Sequence, residues 1–196
     1  MKKTLRVGFA FGGGNSLGTF NGAALSQALK LLLLRGIDGD GNPYRHVELD
    51  VFSGASAGSL SLALMLRTLV HPDPERKSAA KARLQREFGP EFTEKPKALK
   101  RDILAAQILQ DVQEEVWVEE IDLGRLLGST DGGTGRKVRT NAGVFDREAI
   151  EALARKYLAF PNGLTDRMEF STDLSKRRIL SNRVLLANSI ANLTPI

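Results

Sequence analysis

The stretch FSGASAGSLSLAL, residues 52–64, sets a serine between two glycines where an apolar run becomes a helical pattern. Upstream, VELDVFSG (47–54) reads as a buried strand. Downstream, AGSLSLALMLRTLV (57–70) reads as a helix that ends before HPDP. Gly54-Ala55-Ser56-Ala57-Gly58 therefore matches G-x-S-x-G in the strand-turn-helix context that this pattern needs. A serine on so sharp a turn takes a strained backbone and presents Oγ, and the flanking glycines let neighbouring elements close in. The helix N-terminus behind it favours negative charge developing on a substrate oxygen. A small-residue packing corner would use the same letters, so the five residues alone do not decide between the two.

The pattern repeats upstream. TLRVGFAF (4–11) reads as a strand, GGGNSLG (12–18) as the turn leaving it, and TFNGAALSQALKLLLLRG (19–36) as a helix closed by Gly36. A strand-turn-helix order used twice predicts an α/β chain whose parallel sheet carries covering helices. Both turns then lie at one edge of the sheet, where ligand sites of such folds form. Backbone N–H groups of the glycine turn would make a nest for an anion, an oxyanion in particular. A dinucleotide fingerprint is the competing reading. It fails because Asn15 stands at the second glycine if Gly18 is the last, and Leu17 stands at the last if counting starts at Gly12. Asp50 comes late for the acid that would hold a ribose.

From about residue 75 to 127 the pattern is helical and highly charged. KRDILAAQILQDVQEEVW (100–117) places Ile103, Leu104, Ile108 and Val112 on one face, as expected of an insertion packed over the sheet. GSTDGGTGRKVRTNAG (128–143) reads as a polar loop. FDREAIEALARKYL (145–158) reads as a helix with Asp146 as N-cap, and MEFSTDL and RRILSNRVLLA as a third strand and the start of further structure.

The 196 residues contain no cysteine and two histidines, which excludes disulfides and thiolate metal sites and argues against a histidine-rich metal centre. No cofactor is expected. The formal charge of +5 suits an anionic partner or none in particular. The N-terminus alternates and breaks at three glycines, unlike a signal peptide, and the longest apolar segment falls short of a bilayer span. A single soluble, cytoplasmic domain over residues 1–196 is expected, with peripheral contact to a membrane and no nucleic acid. No histidine follows Ser56 except His71, just past the adjoining helix, so the serine looks to a carboxylate for its base.

These residues resemble the patatin-like phospholipases, lipid acyl hydrolases with a Ser-Asp dyad. FAFGGGNSLGTFNGAAL (9–25) resembles the family's strand, glycine turn and helix, and DVFSGASAGSL (50–60) its nucleophile elbow. GVFDREAIEAL and FSTDLSKRRIL resemble later, less specific segments. The resemblance implies a three-layer α/β/α fold with a mainly parallel sheet and a helical insertion. It implies Ser56 as nucleophile, Gly13, Gly14 and Asn15 as the oxyanion turn, Gly54 and Gly58 as the elbow glycines, and a lipid or phospholipid ester as substrate. Asn15 departs from the family's glycine and Leu17 from its arginine. The family's aspartate sits in a D-G-[GA] motif beyond the segment resembled by FSTDL, and this chain ends where that motif would begin, as in a truncated member. Asp131 in Asp131-Gly132-Gly133 is the remaining candidate, upstream of its expected place, where a surface turn would read the same way. Asp173 reads as a turn residue. A degenerate domain that binds lipid or protein without catalysis is the alternative, and acyl transfer a third reading that would want a histidine. The basic stretches Arg136–Arg139 and Lys176–Arg178 would meet anionic lipid, or are solvated loop charge.

Overall fold

The computed structural model describes residues 3–13, 17–35, 44–121, 147–159 and 180–189. Strands β1 (Lys3–Phe11), β2 (Tyr44–Ala55) and β3 (Leu180–Ser189) form one parallel sheet in the order β1-β2-β3. Helix α1 (Leu17–Arg35) connects β1 to β2, since parallel neighbours need a crossover. It starts at Leu17, so Gly18 belongs to the helix and not to the turn before it. Helix α2 (Ala57–Val70) leaves β2 directly. Then come α3 (Lys77–Phe88), the short α4 (Pro90–Thr93), α5 (Lys97–Glu114), a π-helical segment (Glu115–Glu120) and α6 (Arg147–Tyr157). The protein is α/β, with helix the larger share of what is described.

An order that always advances one way, with crossovers of one hand, puts the covering helices on one face. The strands show this. Val47, Leu49 and Phe52 are buried, and Val7, Phe9 and Phe11 pack on the same core, while Thr4, Arg6, Gly8 and Ala10 are exposed. Phe9 is in register with Phe52 and stacks on it, ring centroids 6.4 Å apart.

Simple alternation along β2 would bury Val51 with Val47 and Leu49. The opposite happens: Val51 is 41% exposed and Phe52 fully buried. The cause is Asp50. Val7 pairs with Leu49 and Gly8 with Val51, so Asp50 is an extra residue in the ladder, and the pairing with β3 shifts at the same place. A bulge there exchanges the faces of everything that follows, the elbow included.

Helix α5 buries Ile103, Ile108 and Val112, as its periodicity requires, with Leu104 half-buried. It does not lie chiefly over the sheet as an insertion was expected to; its main neighbours are α1 and α2, and α2 is the helix that meets β2. The physical reason is α1. Its sequence is apolar nearly all round, so one side cannot satisfy it and a second helical layer covers it. That layer also takes in Lys30, whose side chain is fully buried. Its ammonium donates to Gln110 Oε1 (2.7 Å) and Gln107 Oε1 (3.1 Å), lies 3.5 Å from Glu87 Oε2 and sits 5.3 Å from the centre of the Phe88 ring. Burial lowers the Lys30 pKa against the attraction of Glu87.

At the exit of α5, charge closes the packing. Tyr157 OH donates to Glu115 Oε1 (2.6 Å), Arg76 Nη2 to Glu115 Oε2 (2.5 Å), and Lys156 Nζ bridges Glu115 and Glu120. Burial opposes ionisation of Glu115, but these donors outweigh it and hold the carboxyl at about 2, while burial and Glu115 push the Tyr157 phenol up to about 12. The Asp146 cap, Gly36, the 128–143 loop and the strand at 168–174 lie outside the described residues. No helix among the described residues is long and apolar enough to cross a membrane.

Candidate active site

A single residue, Ser56, separates β2 from α2. Its backbone has φ 49° and ψ −117°, the one non-glycine with positive φ among the described residues. That pair lies outside the helical, extended and left-handed wells, and such conformations cost on the order of 1–3 kcal/mol. A corner selected only for smallness would put glycine here. The chain keeps a serine, and keeps it exposed, between Gly54, Ala57 and Gly58, all buried.

The surroundings account for the strain. A Cβ on Gly54 would stand 2.7 Å from the Ser59 backbone nitrogen and 2.8 Å from the Gly58 carbonyl carbon. One on Gly58 would stand 2.6 Å from the Phe11 carbonyl oxygen. Both glycines are therefore required by backbone meeting backbone. Ser59 Oγ donates to Gly54 O (2.7 Å), and Leu60 N–H donates to Ser56 O (3.2 Å), which ties the strand end to the first turn of α2.

The glycine turn arrives at the same place. Phe11 pairs with Gly54, so β1 and β2 end side by side, and Gly13 lies against the elbow: a Cβ there would be 3.0 Å from Ser56 Cβ and 3.2 Å from Ala55 O. Asn21 Nδ2, in the first turns of α1, donates to Gly12 O (3.2 Å) and pins the turn. On the other side β3 ends level with the elbow, Asn188 opposite Gly54 and Ser189 opposite Ala55. Three strand ends thus converge at one edge of the sheet.

Of the residues singled out in the sequence, Ser56, Gly13, Gly54 and Gly58 come together. Gly14, Asn15 and Asp131 lie outside the described residues, as do Asp173 and the basic stretches 136–139 and 176–178. The two histidines are not brought in. His71 caps the far end of α2, about 20 Å from Ser56 at 1.5 Å per residue, and His46 lies near the start of β2. Gly18, the last glycine of the dinucleotide pattern, has a different use. A Cβ there would fall 2.1 Å from Cζ3 of Trp117, so it makes room for an indole.

Sequence reasoning missed Asn21, Ser59, Gln113 and Trp117. The first two had a signal, since each is a polar residue in the first turns of a helix after a glycine turn, where side chains bond local backbone. The last two had none. Comparison with family models, with curated proteins and with solved structures finds no match.

Proposed function

We propose that this chain is a serine lipid acyl hydrolase on a patatin-like plan, with Ser56 as nucleophile; of the two helical layers that a three-layer α/β/α fold would have, the described helices supply the one over the face that carries Phe9 and Phe52. The reading rests on one observation above all: an exposed serine held at positive φ between a strand and a helix, with the glycine turn packed against it. In this scheme Ser56 Oγ attacks the carbonyl carbon of a lipid or phospholipid ester. A carboxylate takes the hydroxyl proton, and Asp131 is the residue proposed for it. The carbonyl oxygen gains negative charge, and its donors would be the backbone N–H groups of the Gly13, Gly14 and Asn15 turn with the N-terminus of α2. Collapse of the tetrahedral intermediate expels the alcohol, which leaves with the proton from the carboxylate, and the acyl group stays on Ser56. Water then attacks the acyl ester by the same route and releases the fatty acid.

The distance of both histidines from the elbow favours a Ser-Asp dyad over a Ser-His-Asp triad. The test is covalent labelling of the purified chain with a fluorophosphonate, read by intact mass, beside release of fatty acid from phospholipid vesicles. Labelling that disappears in Ser56→Ala is the expected outcome. Equal labelling of both proteins would falsify the nucleophile assignment, and an unlabelled wild type would leave a domain that binds lipid or protein without catalysis.

A further inference from the structure

The glycine turn and the elbow belong to different elements, so something has to hold the N-terminal ends of α1 and α2 at a fixed separation. Two buried residues join them. Gln113, at the end of α5, donates from Nε2 to Ser61 O in the second turn of α2 (2.9 Å) and accepts at Oε1 from Trp117 Nε1 (2.8 Å). The Trp117 indole fills the space beside Gly18, and a Cβ on Gly22 would meet Gln113 Oε1 at 2.7 Å and Trp117 Cδ1 at 2.8 Å. Thr19 Oγ1 donates to Trp117 O (3.4 Å). Trp117 lies in the π-helical segment, where the wider turn changes the direction in which side chains leave the helix axis.

We propose that Gln113 and Trp117 are positioning residues that set the gap between the Gly12-Gly13 turn and Ser56. The chain of contacts runs from Ser61 through Gln113 and Trp117 to Gly18, Thr19 and Gly22, and each end lies within two turns of a loop that forms the site. The side-chain nitrogens and oxygen of Gln113 and Trp117 are all bonded within the bridge, which leaves it little freedom to slide. Neither residue touches the reacting atoms. Their effect on chemistry rests on the reading of Ser56 as nucleophile; their effect on geometry does not.

Gln113→Met breaks the bridge with little change in volume, Trp117→Phe removes the indole N–H together with part of the ring, and the two variants guard against one failing to fold. Two readouts are taken at a temperature where the melting curve shows each protein fully folded: the rate of fluorophosphonate labelling per folded molecule, and the amide resonances of Gly13 and Ser56. A displacement of about 1 Å at a reacting centre lowers rates by about 10–100-fold, so the expected result is that loss in labelling rate with both amide resonances moved. A merely structural role would lower the melting temperature and leave the rate per folded molecule alone. Labelling at the wild-type rate overturns the proposal, and so do unmoved resonances. If wild-type protein does not label at all, the nucleophile reading falls, and the resonances alone decide whether the bridge positions the turn.

Discussion

Two pairs of glycines among the described residues sit in the tightest contacts, and the atoms they meet differ. Around Ser56, Gly54 and Gly58 face backbone: the Ser59 nitrogen, the Gly58 carbonyl and the Phe11 and Gly12 carbonyls. At the contact of α1 with the end of α5 and the π-helical segment, Gly18 and Gly22 face side chains, the Trp117 indole and the Gln113 amide. A backbone neighbour cannot be exchanged, so the first contact has no compensating mutation. A side chain can be exchanged, so the second has one. The same residue type thus marks an invariant constraint in one place and an adjustable pair in the other.

The largest effect tests the first half of that contrast. Gly58→Ala drives a Cβ into Phe11 O and Phe11 Cβ, and overpacking of this kind costs about 3 kcal/mol. Phe11→Ala keeps both offending atoms, so the double variant should recover nothing in urea unfolding. Recovery there would mean the contact is not with the backbone.

Gly18→Ala tests the second half, at about 2 kcal/mol of destabilisation with Trp117 in place. In a Trp117→Ala background the clash is gone. Alanine outranks glycine by about 1 kcal/mol in a helix interior and by part of that in the first turn where Gly18 stands, so the same substitution should become slightly stabilising. A change of sign in the urea midpoint sharpens the comparison, and a cost that persists without the indole breaks it.

Ser56→Gly comes next. Glycine tolerates positive φ, so it relieves strain at the elbow but loosens the unfolded chain, and the net should be a gain of about 1 kcal/mol. Labelling should be lost at the same time. A destabilised Ser56→Gly protein would show that the serine side chain, not the backbone, holds this turn.

The smallest effect concerns Glu115, which opens the π-helical segment beside Trp117. Its carboxyl stands at about 2 in the folded protein against an ordinary value of 4.5. A depressed carboxyl contributes stability that is fully present above 4.5 and disappears as pH falls through about 2. Chemical unfolding of wild type against Glu115→Gln should therefore show a difference that is steady at neutral pH and shrinks between 4.5 and 2. The pairs are half-buried and still screened by solvent, so the difference should be about 1 kcal/mol. A difference that grows as pH falls would reverse the assignment.

The local geometry around Ser56 was legible in the letters. The strand-turn-helix order at residues 4–36 and 47–70, the glycines about Ser56 and the buried face of α5 at Ile103, Ile108 and Val112 all rest on local rules: periodicity, turn chemistry and the room a tight turn requires. Those rules act within a few residues, so a sequence carries them openly. It also placed α2 at its observed bounds, because a helix that begins on a strained turn and ends before His71-Pro72 has little latitude.

What the local rules could not reach was decided by partners distant in the chain. Asp50 is a bulge only because β1 pairs with β2 both before and after it, and alternation alone would have put Val51 in the core in place of Phe52. Lys30 reads as a surface residue until Gln107 and Gln110, far along the chain, supply its acceptors. Gly18 reads as the end of a turn until Trp117 occupies the space where its side chain would be. In each case the sequence states what the residue can tolerate, and only the packed structure brings the atom that makes the tolerance necessary, because close packing couples residues through contact and not through their separation along the chain.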